Sequence, residues 1–208
     1  MSDTLSPTTV APVIKSRPVY GTLAPQPGGP HLCVADGEGA LAILDLAALA
    51  APAFFSAAQI AWVPHASAGR DHAERLRELR PRLLDIPPSI DAALRTLAAW
   101  LEEARMGTQL YVAGTEVLIG RAVQVAMDAG IDPAAVQAEH RGSLARRVQC
   151  VHCKRITEDV RTQPVRCEGC GLTLFVRDHY SRRYGAFMGV NIDAEEPGFV
   201  PPIEDAFA

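Results

Sequence analysis

Two short cysteine pairs, Cys150-Val-His-Cys153 and Cys167-Glu-Gly-Cys170, constrain this chain more than any other feature. Each pair offers two sulfurs from one tight turn. Two such turns can close a tetrahedral thiolate cage around a single metal ion. The thirteen residues between the pairs suffice for a hairpin that carries the second turn back to the first. Only one other cysteine, Cys33, is present. The four paired cysteines are therefore read as metal ligands rather than as disulfides or free thiols.

That arrangement is the plan of a small zinc ribbon, with a spacer slightly shorter than the usual run of about fifteen to twenty residues. Four thiolates hold zinc or a single redox-active iron, so the ligand set alone leaves the ion open. Rubredoxin-type iron sites carry a glycine after both pairs and a longer insert. Here Gly171 follows the second pair, but Lys154 follows the first. Zn2+ is the first reading and Fe the alternative.

The remaining composition is that of an ordinary globular chain. Of 208 residues, 48% are hydrophobic and 21% charged, enough for one domain of about 100 to 150 residues and a small module. No run of about 20 apolar residues appears, which argues against a membrane span. Residues 1–15 lack the apolar core of a signal peptide, so a cytoplasmic location is expected, where thiols stay reduced. Charge is segregated along the chain. From Arg141 to Ala186 there are ten Lys or Arg against four Asp or Glu, whereas the tail from 191 to 208 carries Asp193, Glu195, Glu196, Glu204 and Asp205 among prolines. This tail is expected to be extended, acidic and solvated.

Upstream of the cysteines, short apolar runs alternate with amphipathic stretches. Residues 1–27 form an irregular Pro- and Gly-rich leader, and the irregular stretch continues to residue 30. Strands are predicted at 31–35, 59–63, 83–86, 109–113 and 136–139. Helices are predicted at 40–50, 70–80, after Ser89, and at 116–129 up to Gly130. Strands alternating with helices imply an α/β fold, a parallel sheet flanked by helices, followed by the small ribbon. The boundaries are 28–140 for the α/β domain, 148–190 for the ribbon and 191–208 for the tail.

The string His31-Leu-Cys-Val-Ala-Asp-Gly-Glu-Gly39, then Leu110-Tyr-Val-Ala-Gly-Thr-Glu116, then Gly130-Ile-Asp-Pro and Ala138-Glu139-His140 resembles the NAD(P)-binding domain of ferredoxin reductase-type flavoenzymes. The resemblance places a nucleotide site near Asp36, Gly37, Gly39 and Gly114. Several residues depart from that family's pattern. Asp36 and Glu38 put carboxylates where a pyrophosphate should sit, and these repel it. Ala113 and Thr115 replace the cysteine and proline beside the nicotinamide. Arg70, at a position for a ribose-phosphate contact, reads as a solvated charge beside Arg75, Arg77 and Arg80. The site is thus expected to be degenerate, with no catalytic residues. Thirty irregular residues are too few for a flavin-binding barrel, so a complete reductase is not expected.

Beyond the cysteines, Gly171-Leu-Thr-Leu-Phe-Val-Arg-Asp-His-Tyr-Ser-Arg-Arg-Tyr-Gly-Ala-Phe-Met-Gly-Val190, taken with the two pairs, resembles the C-terminal domain of the DmmA-type subunit of bacterial dimethylamine monooxygenase. The resemblance implies an accessory subunit of a multicomponent oxygenase that performs oxidative N-demethylation with NADPH and O2. Haem, FMN and an iron-sulfur cluster are then expected on the partner reductase and haem oxygenase subunits, not on this chain. None of the six histidines stands in a setting for haem ligation, and His152 and His179 read as surface or supporting groups. Two alternatives are carried: an electron-transfer or NADPH-presenting component with iron in the cage, and, more remotely, a nucleic-acid-binding ribbon, which the acidic tail makes unlikely. Arg177, His179, Arg182 and Arg183, beside Tyr180, Tyr184, Phe187 and Met188, are expected to contact a partner.

Overall fold

The computed structural model describes residues 17–64 and 72–207. A strand of six consecutive buried residues, β1 (His31–Asp36), lies at the centre of the first domain. Its neighbours are β2 (Ala58–Val63) and β4 (Gln109–Gly114). Beyond them lie β3 (Leu83–Asp85) and β5 (Val136–His140), in the order β3-β2-β1-β4-β5. Every pairing in this sheet is parallel. A central strand covered on both faces has no polar side, which is why the interior of β1, Leu32 to Ala35, reads as a continuous apolar run.

The crossovers carry α1 (Gly39–Leu49), α2 (Ala73–Glu78), α3 (Ile90–Glu102) and α4 (Glu116–Asp128). Residues of β1 alternate between two cores. Cys33 and Ala35 meet Ile43, Leu46 and Leu76 on one face, while Leu32 and Val34 meet Leu94, Leu97, Leu118 and Ile119 on the other. Ser89 caps α3 by accepting the Ala92 N–H at 3.2 Å. The expected strands and helices are present with boundaries shifted by a few residues. The helix expected at 70–80 spans Ala73–Glu78, and Arg70 lies outside the described residues.

Part of the expected leader is held against the domain. Gly21 donates to the Ala138 carbonyl at 3.2 Å, Leu23 to the Glu139 carboxylate at 2.8 Å, and Ala24 to the Gln137 side chain at 2.9 Å. The segment is irregular, but it covers the free edge of β5, which would otherwise present unpaired backbone groups.

The second domain begins at β6 (Arg146–Cys150). It continues through β7 (Ile156–Val160), β8 (Thr162–Gln163), β9 (Val165–Arg166), β10 (Thr173–Ser181) and β11 (Ala186–Asn191). Its main sheet runs β7-β6-β11-β10-β9. The acidic tail differs from its expectation as a solvated end. Its strand β12 (Glu204–Asp205) pairs antiparallel with β8, and Phe207 is buried in the ribbon core. There the Arg146 guanidinium lies between the rings of Phe187 and Phe207, 4.1 Å from each centroid.

The two domains meet through α4. A Cβ on Gly120 would stand 2.8 Å from the Tyr180 hydroxyl and 2.9 Å from the Gly185 carbonyl oxygen, so the approach needs glycine at that point. The Arg147 guanidinium donates to the Tyr184 carbonyl at 2.7 Å and to the Gln124 side chain at 3.2 Å. No described helix is long and apolar enough to cross a membrane.

Candidate functional site

The four cysteines are brought together as the spacing predicts. Their sulfurs all lie within 4.8 Å of one another. Cys150 and Cys170 are 3.8 Å apart, and Cys153 and Cys167 are 3.6 Å apart. A tetrahedron with metal–sulfur bonds of about 2.3 Å has edges of about 3.8 Å, so the cage matches a four-thiolate ion in size. Among the described residues, no other group of three or more potential ligands is assembled in this way.

Matching backbone turns position the sulfurs. In the first, Cys150 N–H donates to Arg155 O at 2.9 Å and Lys154 N–H to Cys150 O at 2.9 Å. In the second, Cys167 N–H donates to Leu172 O at 2.9 Å and Gly171 N–H to Cys167 O at 3.0 Å. Both turns need a left-handed residue at the same point. Gly171 supplies it at φ 73°, and Lys154 supplies it at φ 65° despite its Cβ. The absent glycine after the first pair therefore does not alter the turn, and Lys154 does not distinguish a zinc cage from an iron one.

The electrostatics of the cage are uneven. For Cys167, burial acts upward but is outweighed by the N–H groups of Cys170 and Gly169, which hold the thiol down to about 7. Cys170 is pushed up to about 11: the Leu172 N–H pulls it down, while burial and hydrogen bonding to the other three thiols more than offset that pull. Cys150 and Cys167 are buried and Cys153 is exposed. Cys33 sits apart in the α/β core, where burial raises its thiol to about 12 and leaves it inert. His152 and His179 are both exposed.

The second candidate site lies at the carboxyl ends of β1 and β4, where the strand order reverses and doubly wound folds take their ligands. Asp36, Gly37 and Thr115 line a cavity of about 530 Å³ there, roofed by Glu158, Asp159 and Arg161 of the ribbon. The fully buried Asp36 carboxylate is committed inside the protein. It accepts the Thr115 N–H at 2.8 Å and the Thr115 hydroxyl at 2.6 Å. Thr115 is also the N-cap of α4, its hydroxyl accepting the Leu118 N–H at 3.4 Å. The positive end of α4 thus already faces an internal carboxylate.

The glycines of this site serve packing. A Cβ on Gly39 would lie 2.1 Å from the Ala113 carbonyl oxygen, and one on Gly114 would lie 1.7 Å from Asp36 Oδ1. Gly37 donates its N–H to Val63 at 2.9 Å, and its carbonyl accepts from the Trp62 indole at 3.0 Å. Both cavity arginines are paired with carboxylates, Arg141 with Glu139 and Asp45, and Arg161 with Asp159.

The segment expected to contact a partner divides into packed and exposed side chains. Phe187 is buried in the ribbon and stacks edge-on with Tyr180, whose hydroxyl reaches α4. The rings therefore close the seam between the domains, while Arg182 and Arg183 remain exposed. Sequence reasoning did not find the Asp36–Thr115 link or the Phe207 anchor. A threonine directly before an amphipathic helix is an N-cap signal that could have exposed the first. A lone Phe near the end of a polar tail carries no such signal.

Comparison with known proteins agrees with this two-part layout. A family model described as the N-terminal domain of the dimethylamine monooxygenase subunit DmmA-like proteins matches residues 12–136, and its C-terminal counterpart matches 147–190. The chain belongs to the DmmA-like family. One curated relative of this DmmA-like chain is the heme-dependent oxidative N-demethylase delta subunit of Ectopseudomonas mendocina (strain ymp), 33% identical over 127 residues, covering 60% of this chain and 73% of the relative. Among solved structures, the flavohemoglobin of Malassezia yamatoensis matches with a TM-score of 0.42 and 16% identity, over 56% of this chain and 33% of its own. The FAD/NAD-binding domain of nitric oxide dioxygenase from Vibrio cholerae O1 biovar El Tor matches at 0.42 and 13%, over 57% and 53%. This chain thus spans between a third and about half of those structures.

Proposed function

We propose that this chain is a non-catalytic, accessory subunit of a haem-dependent oxygenase that N-demethylates a secondary methylamine with NADPH and O2. Its family membership and the printed name of its relative support the assembly. The observation that carries the accessory role is the Asp36–Thr115 link. Asp36, at the end of β1 before α1 where the resemblance puts a pyrophosphate, is tied to Thr115 at the start of α4, where it puts the nicotinamide, and Gly39 and Gly114 are filled by packing contacts. Flavin, iron-sulfur and haem chemistry then belong to partner reductase and oxygenase subunits. The four cysteines would hold one Zn2+, which links the two turns and so fixes the ribbon. A reducing cytoplasm would keep all four sulfurs available as ligands.

Calorimetric titration of the isolated chain with NADPH tests the nucleotide part. The expected dissociation constant is no better than about 1 mM. Micromolar binding would replace the accessory role with presentation of NADPH to a partner's flavin.

A second reading, electron transfer through iron in the cage, is favoured by the equivalence of the two turns and by the exposure of Cys153. Elemental analysis separates the two. The structural role expects about one zinc per chain, and a coloured protein with about one iron and no zinc would establish the electron carrier.

A further inference from the structure

The tail between β11 and β12 combines features that its own fold does not explain. It is tied down at both ends. Ile192 donates to the Thr173 carbonyl at 3.0 Å, while Ala206 and Phe207 both donate to the Arg161 carbonyl, at 3.0 and 2.8 Å. Within the span, Gly198 at φ 90° makes a turn in which its N–H reaches the Asp193 carboxylate at 3.1 Å and Phe199 N–H reaches the Glu196 carbonyl at 3.0 Å. After that turn, Pro201 and Pro202 fix the backbone in extended form.

Three large apolar side chains nevertheless point outward in these five residues: Phe199 is 65% exposed, Val200 45% and Ile203 71%. Single exposed apolar residues are ordinary, but a cluster on a segment held at both ends is the pattern of a binding surface. Five carboxylates and no Lys or Arg occur from residue 191 to the end of the chain.

We propose that residues 192–203 form a docking strap that inserts Phe199, Val200 and Ile203 into an apolar groove with a basic rim on another subunit of the oxygenase. This rests on the subunit reading above. The anchored, proline-stiffened backbone has already lost most of the freedom that a loose peptide would surrender on binding. The carboxylates on both sides supply the complement to the basic rim. A second copy of this chain, whose ribbon is itself basic, is the competing occupant, and self-association of the isolated chain tests for it.

The test uses the full-length chain co-expressed with the reductase and haem subunits of the same oxygenase. Phe199→Ser, Val200→Ser and Ile203→Ser are combined in one variant, and metal content serves as the check on folding. Because these side chains are exposed, the ribbon should retain its metal while affinity for the complex falls at least about ten-fold, the weakening growing further at high salt. Unchanged affinity of the variant would overturn the strap while leaving the subunit reading intact. Failure of the unmutated chain to assemble would overturn both. Self-association of the isolated chain that the triple variant abolishes would overturn the choice of partner.

Discussion

Helices cover both faces of the sheet in the α/β domain, and each face has its own apolar core. The ribbon's core is much smaller. Eight buried residues form it, of which two, Cys150 and Cys167, are cage cysteines and one, Phe207, comes from the far end of the tail. The first domain can therefore be held by hydrophobic burial alone, whereas the second brings together four thiols that could hold a metal and draws on a strand supplied from a distance. The same contrast applies to their binding sites. In the larger domain the Asp36 carboxylate at the crevice is bonded to Thr115, while the smaller one holds a cage sized for an ion.

The largest effect should come from Cys150→Ser. Binding energy at a structural zinc site is on the order of 10 kcal/mol and is also folding energy. The variant should hold no stoichiometric metal by elemental analysis, and its ribbon should lose protection while the α/β domain stays folded. Next, Asp36→Ala removes the acceptor for two groups of Thr115 in a fully buried setting. A loss of roughly 2 to 3 kcal/mol is expected from denaturant unfolding of the first domain, with metal content unchanged. If that variant were fully stable, the carboxylate would be a remnant rather than a support.

Gly120→Ala tests the seam between the two domains. The added methyl meets Tyr180 and Gly185, so roughly 1 to 3 kcal/mol should be lost from domain docking, read as freer proteolysis between residues 140 and 146. The smallest effect, and the only favourable one, should come from Lys154→Gly. Releasing a side chain from φ 65° should stabilise the ribbon by about 1 kcal/mol in thermal unfolding of the metal-bound form. No change would mean that the Lys154 ammonium, which donates to the Val151 carbonyl at 2.6 Å, offsets the backbone cost.

Much of the fold was legible because it depends on local pattern. The buried run of β1, the cap at Ser89 and the stop at Gly130 are signals written in adjacent residues. The cage was legible for a similar reason, since its spacing encodes two turns. What remained hidden were contacts between residues far apart in sequence. Asp36 reads as an obstacle to phosphate, but its bond to Thr115 spans 79 positions and appears only once β1 and β4 are paired. Pairing of the tail with β8 was equally hidden, because acidic, proline-rich composition describes a solvated segment until Phe207 and Arg146 are seen together. Gly120, in the middle of α4, was the one available sign of a close approach.

Hydrogen exchange on the full chain, before and after removal of the metal by a chelator under reducing conditions, tests the contrast between the domains most directly. Removal should abolish protection across β6 to β11 and release the tail from β8, while the amides of β1, β2 and β4 keep theirs. Retained protection in the metal-free ribbon, or a loss spread evenly over both domains, would contradict that contrast.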